Sequence, residues 1–512
     1  IFIDGIQWFP SELNTDLLMP NFLIPDKKDT ILLNDTSIIK VSSYYPIIGI
    51  GKTYLSQISI NPELDKKEFT NLEIEVENDA HQKDDNFWNS YRYNSLSSKD
   101  LNTYKLIDSI GKAEKLDLKF KLIETVSQGF IPWKFLNIDY KSILLFNSYE
   151  GYRTGLGLMT NEQISKFFSI GGYVAYGFRD DGIKYGGILK IIPKSNNDLK
   201  IKFSLINDVD ETGGILFHED NMIFGTDLYR NLMVDFMHQE KKIQSEFQIT
   251  FFQYLHANLI FRQSEHIFNS EYIYSDFPVL EQVLDIKTPY SFNTTETELQ
   301  FKYAYKEKFM KTPRGYKISL GTNYPIVWFN LTKKFSVSGE KFEYFKAETK
   351  VSKSFLSKSF GKLSIQTVAG YTNKSLPFSL QYNGHGSYRP WVIESANSFG
   401  TARMNEFFNT RFIYVFLRHD FASLLFKTKK FHPKILLCQN FGYGALDEPE
   451  YHYGTSARSM EKGFHESGIL FNNLISQSFF GYGIGLFYRY GPYSYKENID
   501  NFAGKITLYI YL

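Results

Sequence analysis

From about residue 148 to the end of the chain, apolar side chains recur at every second position. Leu199, Ile201, Phe203 and Leu205 alternate with Lys200, Lys202 and Ser204. Leu299, Phe301, Tyr303 and Tyr305 alternate with Gln300, Lys302 and Ala304, and Ile506, Leu508, Ile510 and Leu512 with Thr507, Tyr509 and Tyr511. A period of two puts one set on each face of a strand. Segment after segment therefore has one greasy face and one polar or small face, the pattern of a membrane barrel with lipid outside and water or polar groups inside. The composition agrees. Aromatic residues make up 17% of the 512 residues, yet only 43% are hydrophobic. Alternation keeps mean hydropathy low, at −0.29, while aromatic girdles enrich Phe, Tyr and Trp.

Sixteen alternating segments are expected, centred near 148–160, 168–178, 184–192, 199–207, 231–239, 244–252, 256–263, 297–305, 325–334, 343–353, 362–372, 408–420, 434–443, 467–474, 480–490 and 504–512. An even number suits a bacterial single-chain barrel, whose outer connections are long and inner turns short. With the first strand starting in the periplasm, the long connections 264–296, 373–407 and 444–466 fall outside, and the short ones at 179–183, 253–255 and 475–479 fall inside. Residues 208–230 break the rule. They form a long connection on the inner side, so either the count slips there or a periplasmic insertion exists.

Before the barrel, residues 1–86 read as a small β-rich segment punctuated by Pro10, Pro20, Pro25, Pro46 and Pro62, with strand-like runs at 38–45 and 72–76. Residues 87–147 read as a connector with a short amphipathic helix. Ser97 and Asp100 make a capping box, Leu101, Tyr104, Ile107 and Ile110 a stripe that packs on something, and Gly111 a stop. Residues 148–512 are the barrel. The chain opens Ile1-Phe2-Ile3-Asp4 with no Met and no signal-peptide pattern, as expected of a processed or excised chain.

Several function classes lose support. Lys and Arg number 57 against 56 Asp and Glu, a net charge of +1 that gives no nucleic-acid footprint. Cys438 is the one cysteine, so no intrachain disulfide forms. No run of 18 apolar residues offers a transmembrane helix. His218-Glu219-Asp220 and His465-Glu466 lack the spacing that puts two imidazoles on one helix face. Ser387 is not in a Gly-x-Ser-x-Gly elbow, and no third group joins it and His385. Asp180-Asp181-Gly182 is a turn signal. No cofactor, no metal and no enzymatic activity are expected. Glycines mark one feature of the inner wall: Gly481, Gly483 and Gly485 on one face of one strand, Gly155 and Gly157 on another, Gly171 and Gly177 on a third. They signal either tight curvature or a segment or partner lying close against the wall near the barrel seam.

Longer motifs carry a family resemblance. Phe87-Trp88, Arg92, Leu96, Thr103-Tyr104 and Ile107-Asp108-Ser109-Ile110 lead into Asn147-Ser148-Tyr149-Glu150-Gly151-Tyr152-Arg153-Thr154-Gly155-Leu156-Gly157. Thr160-Asn161, Gly171-Gly172-Tyr173, Ala175-Tyr176-Gly177, Lys184-Tyr185-Gly186, Tyr324-Pro325, Ala369-Gly370, Leu376-Pro377 and His419-Asp420-Phe421 follow in order. Over nearly its whole length the chain resembles a Bacteroidota outer-membrane family that pairs a carboxypeptidase regulatory-like domain with a barrel of unknown function. That barrel in turn looks like the sixteen-stranded superfamily of outer-membrane assembly insertases and two-partner secretion transporters. In that superfamily the sixth outer loop folds into the lumen with an Arg-Gly-aromatic tip. Here the connection at 373–407 holds the corresponding place, with five strands after it. Its tip reads Gly384-His385-Gly386-Ser387-Tyr388-Arg389-Pro390-Trp391, so Gly386, Ser387, Tyr388, Arg389 and Trp391 are the candidate functional loop. It has no Arg-Gly pair, and Phe441-Gly442-Tyr443-Gly444 lacks the acid that usually meets the arginine. An arginine in the lumen needs a carboxylate, and Glu394 and Glu406 are the candidates for Arg389; the alternative is a solvated outer-loop residue. Leu512 stands where barrel-targeting signals commonly have an aromatic.

The resemblance implies a non-enzymatic role in outer-membrane protein biogenesis or secretion, within a larger complex. Its setting would be the bacterial outer membrane, among lipids and lipopolysaccharide, with the N-terminal part in the periplasm and other outer-membrane or periplasmic proteins as partners. A solute transport or uptake barrel and a structural docking platform for surface lipoproteins are the alternatives.

Overall fold

The alternation resolves into strands whose buried side is the polar one. A computed structural model describes residues 1–512 apart from 1, 4–6, 20–28, 34–36, 42–46, 61, 64–69, 78, 114–128, 194–197, 219–226, 276–288, 312–316, 336–342, 423, 427–432, 456–457, 478–479 and 511–512. The chain divides into two units, residues 1–124 with 309–319 and residues 125–308 with 320–512.

Among the described residues the second unit holds a sheet of 19 strands. Its long members, each of nine residues or more, are β1 (Gly151–Thr160), β2 (Phe168–Gly177), β3 (Gly182–Ile191), β4 (Lys200–Glu211), β5 (Met237–Phe251), β6 (Leu255–Phe268), β7 (Tyr290–Ala304), β8 (Ile326–Lys334), β9 (Phe345–Ser357), β10 (Gly361–Thr372), β11 (Arg411–Asp420), β12 (Lys434–Ala445), β13 (Phe464–Gln477), β14 (Phe480–Tyr490) and β15 (Phe502–Ile510). Each pairs antiparallel with the next. On β7, Glu296, Glu298, Gln300 and Lys302 are buried, and Tyr303 between strands of neighbours is exposed. On β14, Gly483, Gly485, Phe487 and Arg489 are buried, while Tyr482, Ile484, Leu486 and Tyr488 are exposed. Burying charge while exposing aliphatic and aromatic side chains is unfavourable in water and favourable in a bilayer around a polar interior. The fold is an all-β antiparallel membrane-type barrel.

The expected segments correspond to these strands with two differences that explain each other. Residues 231–239 and 244–252 do not form two strands; from Met237 onward they form β5 alone, paired without a break to both neighbours. The run Glu240-Lys241-Lys242 looks like a turn in sequence. In the wall, Lys242 faces inward to Glu240 and Asp210, and Lys241 faces outward to Glu265. Missing from the expectation is a strand before β1. Leu136–Asp139 and Leu144–Asn147 lie along its edge, interrupted by the helical turn Tyr140–Ile143. The sheet thus starts inside the stretch read as a connector. Among the described residues the long strands number fifteen, and this interrupted segment adds a further edge.

Merging the two halves of β5 moves every earlier connection to the opposite end. The long connection after β4 then lies with the other long ones, and the exception at 208–230 disappears. The short turn at 179–183 moves to that same end, contrary to expectation. We call this the loop end.

In the first unit, Glu12–Met19 pairs with Ile47–Tyr54, Asp29–Leu33 with Ser37–Val41, and Leu72–Glu75 in parallel with residues 309–311. Asp84 caps a helix at Asp85–Tyr91 by accepting from the Phe87 N–H at 2.8 Å. The Ser97–Asp100 capping box forms: Ser97 N donates to Asp100 at 2.9 Å, and Asp100 N to Ser97 Oγ at 3.3 Å. Its helix, Ser98–Ala113, runs through Gly111, which lacks a left-handed backbone and so does not stop it. The stripe residues Leu101, Tyr104 and Ile107 are exposed within this unit.

Candidate functional site: the loop-filled lumen

The connection between β10 and β11 does not stand out in solvent. It enters the barrel and touches strands all around the wall. Asn383 Nδ2 donates to Glu211 on β4 at 2.7 Å, and the Tyr382 hydroxyl to Glu348 on β9 at 3.2 Å. Glu394 pairs with Arg418 on β11 at 2.6 Å, Glu406 with Arg489 on β14 at 2.8 Å, and Lys505 on β15 donates to the Ser387 carbonyl at 2.7 Å. One segment reaches inward-facing groups on β4 and on β15 only if the sheet curls around it.

Glu466 on β13 is the densest anchor. It is fully buried. Its Oε1 accepts from Gly400 N and Asn440 Nδ2, each at 2.7 Å. Its Oε2 accepts from Thr401 N at 2.8 Å and Thr401 Oγ1 at 2.6 Å. A buried carboxylate is costly unless its lone pairs are satisfied, and here four donors satisfy it. This acid lies on the strand next to β12 and holds backbone N–H groups of the connection. His465-Glu466 invited a metal reading; in the fold His465 stacks on Tyr490 and Glu466 belongs to the loop. His218 lies by Gln248 and His256, and Glu219 and Asp220 fall outside the described residues.

The candidate loop residues sit close together with distinct surroundings. The Gly386 carbonyl accepts from Arg230 Nε at 3.0 Å, and Arg230 also forms a two-pronged pair with Glu211. A Cβ at Gly386 would lie 2.5 Å from the Ala402 and Arg403 carbonyls, so glycine permits this approach. Ser387 is fully buried, its Oγ bonded to the Phe399 carbonyl at 3.2 Å and to Ser398 Oγ at 2.8 Å. Tyr388 lies under the Arg403 guanidinium at 4.8 Å.

Arg389 does not meet Glu394 or Glu406, which are taken by Arg418 and Arg489. Its carboxylate is Asp235, at 3.1 Å, from the connection between β4 and β5, and its side chain keeps 42% exposure. The same Nη2 reaches the Met233 carbonyl at 3.3 Å and Ser148 Oγ at 3.4 Å. Proximity in sequence was a poor guide because the connection turns back on itself. Trp391 opens a three-residue strand, Trp391–Ile393, that pairs in parallel with Gly504–Ile506 of β15.

A second connection enters the barrel as well. The carbonyls of Leu216 and His218 accept from Asn330 Nδ2 and Trp328 Nε1 of β8, each at 3.1 Å, and Lys350 lies 4.2 Å from the Trp328 ring. Between β4 and β7 the wall carries its own ion network: Lys242 to Glu240 at 2.5 Å and to Asp210 at 2.7 Å, and Arg262 to Glu298 at 2.8 Å and to Glu296 at 3.3 Å.

The glycines selected from sequence divide by surroundings. Gly155 and Gly171 face each other's neighbouring backbone, the Val174 and Leu158 carbonyls; Gly157 faces Asp139 and Ser142, and Gly177 faces Asp180 and Lys184. Gly483 faces the Phe471 carbonyl where the β13 ladder shifts register, Gly485 faces Leu470, and Gly481 is buried on the same side. Close approach of adjacent strands accounts for Gly155, Gly171 and Gly483. The in-folded connection uses other glycines: Gly442 faces Phe399 and Gly444 faces Asn409. Above the lumen, buried aromatics cap the loop end. Phe378 stacks on Phe408 and on His452, each at 3.9 Å, and the His452 ring meets the Tyr272 hydroxyl at 2.9 Å. Burial in this apolar cap pushes the His452 pKa down to about 3.

Among known proteins, three solved structures are similar in outline. BamA from Haemophilus ducreyi lacking POTRA domains 1–3 shares 11% identity over 71% of this chain and 69% of its own, with a TM-score of 0.43. CdiB from Acinetobacter baumannii shares 10% identity over 68% of this chain and 55% of its own, with a TM-score of 0.36. Wzi from Escherichia coli, an outer membrane protein involved in group 1 capsule assembly and described as a carbohydrate binding β-barrel, shares 7% identity over 74% of this chain and 84% of its own, with a TM-score of 0.30. No curated protein sequence matches the chain. Residues 125–453 match the C-terminal domain of a family of unknown function (DUF5686), and the chain belongs to that family.

Proposed function

We propose that this DUF5686 protein is a non-enzymatic bacterial outer-membrane barrel that serves outer-membrane protein biogenesis or secretion within a larger complex. In this reading it sits among outer-membrane lipids and lipopolysaccharide, its N-terminal part lies in the periplasm, and other outer-membrane or periplasmic proteins are its partners. The observation that carries the reading is the occupied interior. A solute pore needs a polar path that ions or solutes traverse. Here the connection 373–407 is fastened inside by Glu466, Arg489, Arg418 and Lys505. The working surfaces left are the wall, its seam and the loop end, which are surfaces for proteins and lipids.

Mass spectrometry of what co-purifies with the chain from gently solubilised outer membrane tests this. Assembly or secretion components should dominate, and depletion of the chain should lower many other outer-membrane proteins together. Recovery of nutrient-uptake proteins, or of nothing, would overturn the role in biogenesis and favour the transport barrel.

A further inference from the structure

Arg403, on the returning limb of the in-folded connection, has no carboxylate of its own. Arg153, Arg230, Arg262, Arg418 and Arg489 each meet one. Among the described residues the Arg403 guanidinium makes no hydrogen bond or ion pair, and its Nη1 is buried without a partner. The nearest acid in sequence, Glu406, accepts from the Arg403 backbone N–H at 3.0 Å and is otherwise taken by Arg489 and Tyr495. Arg403 has rings instead. Its guanidinium carbon lies 4.8 Å from the Tyr388 ring centre and 4.1 Å from that of Tyr495. An aromatic face attracts a cation, but it leaves the in-plane donors of the fork unused. A second arginine stands beside it. Tyr388 N donates to the Ala402 carbonyl at 3.0 Å, so Arg389 and Arg403 each follow directly on one joined pair. Arg389 shares Asp235 with Asn405, whose Nδ2 donates at 3.1 Å. Two guanidiniums are thus set against one carboxylate in this corner.

The corner adjoins strands whose outward faces carry aromatics at the loop end. Tyr152 on β1 packs on Phe146 at 5.2 Å, Tyr176 on β2 on Phe178 at 5.3 Å, and Tyr488 on β14 on Phe502 of β15 at 4.7 Å. All of these rings are exposed, and so is Trp391, two residues beyond Arg389. Exposed aromatics at strand ends mark the boundary between lipid and water. Arg389 reaches Ser148, just before β1, and Tyr495 lies in the connection from β14 to β15. The two arginines are therefore held by segments that border this belt, which puts them at headgroup level in the barrel reading. We propose that Arg403, with Arg389 beside it, binds the phosphate group of an outer-leaflet lipid. A guanidinium fork takes two phosphate oxygens side by side, and so uses the donors that the tyrosine rings leave idle. The phosphate also brings the negative charge that the corner lacks. Inorganic phosphate offers the same chemistry, but the aromatic belt beside the arginines favours a ligand with acyl chains. The inference rests on the barrel reading, with its loop end at the outer leaflet, and not on the role in biogenesis.

The test uses the full chain in a neutral maltoside detergent, incubated with phosphorylated lipid A or with the same lipid after enzymatic dephosphorylation. Native mass spectrometry reads the bound lipid. The wild type should retain the phosphorylated form at least about tenfold more, the scale of a pair of charge-assisted hydrogen bonds. Arg403→Gln should lower retention to the dephosphorylated level. Arg403→Lys should keep part of it, because an ammonium supplies the charge without the fork. Arg411→Gln, which breaks an exposed pair with Asp447 at the same end, should change nothing. Equal retention of the two lipids by the wild type requires no variant to fold and would overturn the proposal, as would full retention by Arg403→Gln. Inorganic phosphate that binds as tightly as the lipid and displaces it would overturn the lipid as the source. Migration in SDS before and after boiling is read on the same sample. A chain that does not shift overturns the barrel premise, whereas a shifting chain without the lipid preference overturns the site alone.

Discussion

Glu406 in the in-folded connection and Arg489 on β14 form a two-pronged ion pair, Nη1 to Oε2 at 3.1 Å and Nη2 to Oε1 at 2.8 Å, with Arg489 1% exposed. The Tyr495 hydroxyl donates to the same carboxylate at 2.9 Å, and its ring lies 4.5 Å from the guanidinium. A buried pair contributes modestly against an apolar replacement, but breaking it strands a charge at a cost of about 3–5 kcal/mol. Glu406→Ala should therefore destabilise the folded barrel by about that amount. The double variant E406L/R489M should recover most of the loss. Urea titration in detergent, followed by tryptophan fluorescence, reads both; equal losses in the single and double variants would mean the pair does not fasten the loop.

Glu466 should control whether the loop stays seated. Glu466→Gln keeps the shape but turns one acceptor into a donor pointed at N–H groups. Leaving buried partners unsatisfied costs about 1–3 kcal/mol each. Trypsin should then cut at Arg403 at least about tenfold faster than in the wild type, in keeping with that free energy. Unchanged cleavage would mean that the aromatic packing of Phe399 and Phe407 alone holds the segment.

An occupied lumen should conduct poorly. In planar bilayers the wild-type chain should show little steady current. Deletion of 385–402 should raise conductance at least about tenfold, since conduction follows the free cross-section and lining of the path. A wild-type chain that conducts as freely as the deletion would contradict the closed interior.

Much of this interior was legible in sequence, and the part that was not has a physical reason. Strict alternation gave the strands because a wall between lipid and polar groups enforces a period of two. It failed at Lys241-Lys242, where the long β5 leaves the apolar band and charges appear on both faces. It failed again at 136–147, where Tyr140–Ile143 turns helical and breaks the period. The place of the 373–407 connection, five strands from the end, could be read. Its fastenings could not, because Glu466, Arg489 and Lys505 are single polar residues on strands whose inner face is expected to be polar anyway. A usable signal was their rarity: a Glu and an Arg on an inner face otherwise made mostly of Phe464, Leu470, Gly483, Gly485 and Phe487 need partners, and a loop is one source.

A membrane-embedded barrel keeps its ladder in SDS until heated, because nearly every backbone group is already paired. The folded chain should migrate differently before and after boiling. Identical migration under both conditions would count against membrane insertion of the sheet, whatever the exposure of Tyr482, Ile484 and Leu486 suggests.

Acid should loosen the loop-end cap through His452. Its pKa is held down to about 3 by burial, while in the unfolded chain a histidine titrates near 6.5. Between those values the unfolded state binds a proton that the folded state refuses. Stability from this group is therefore intact above about pH 6.5 and is lost as pH falls toward the folded value, by at most about 1.4 kcal/mol per pH unit. His452→Gln keeps a hydrogen-bonding side chain beside the Tyr272 hydroxyl and removes the titration. The difference in stability between wild type and His452→Gln, measured by urea titration at pH 7, 6, 5 and 4, should shrink steadily with acid. The other buried histidines, His238, His256 and His266, are the same in both proteins and cancel in that difference. A constant difference across the range would mean that protonation of His452 does not act on the cap.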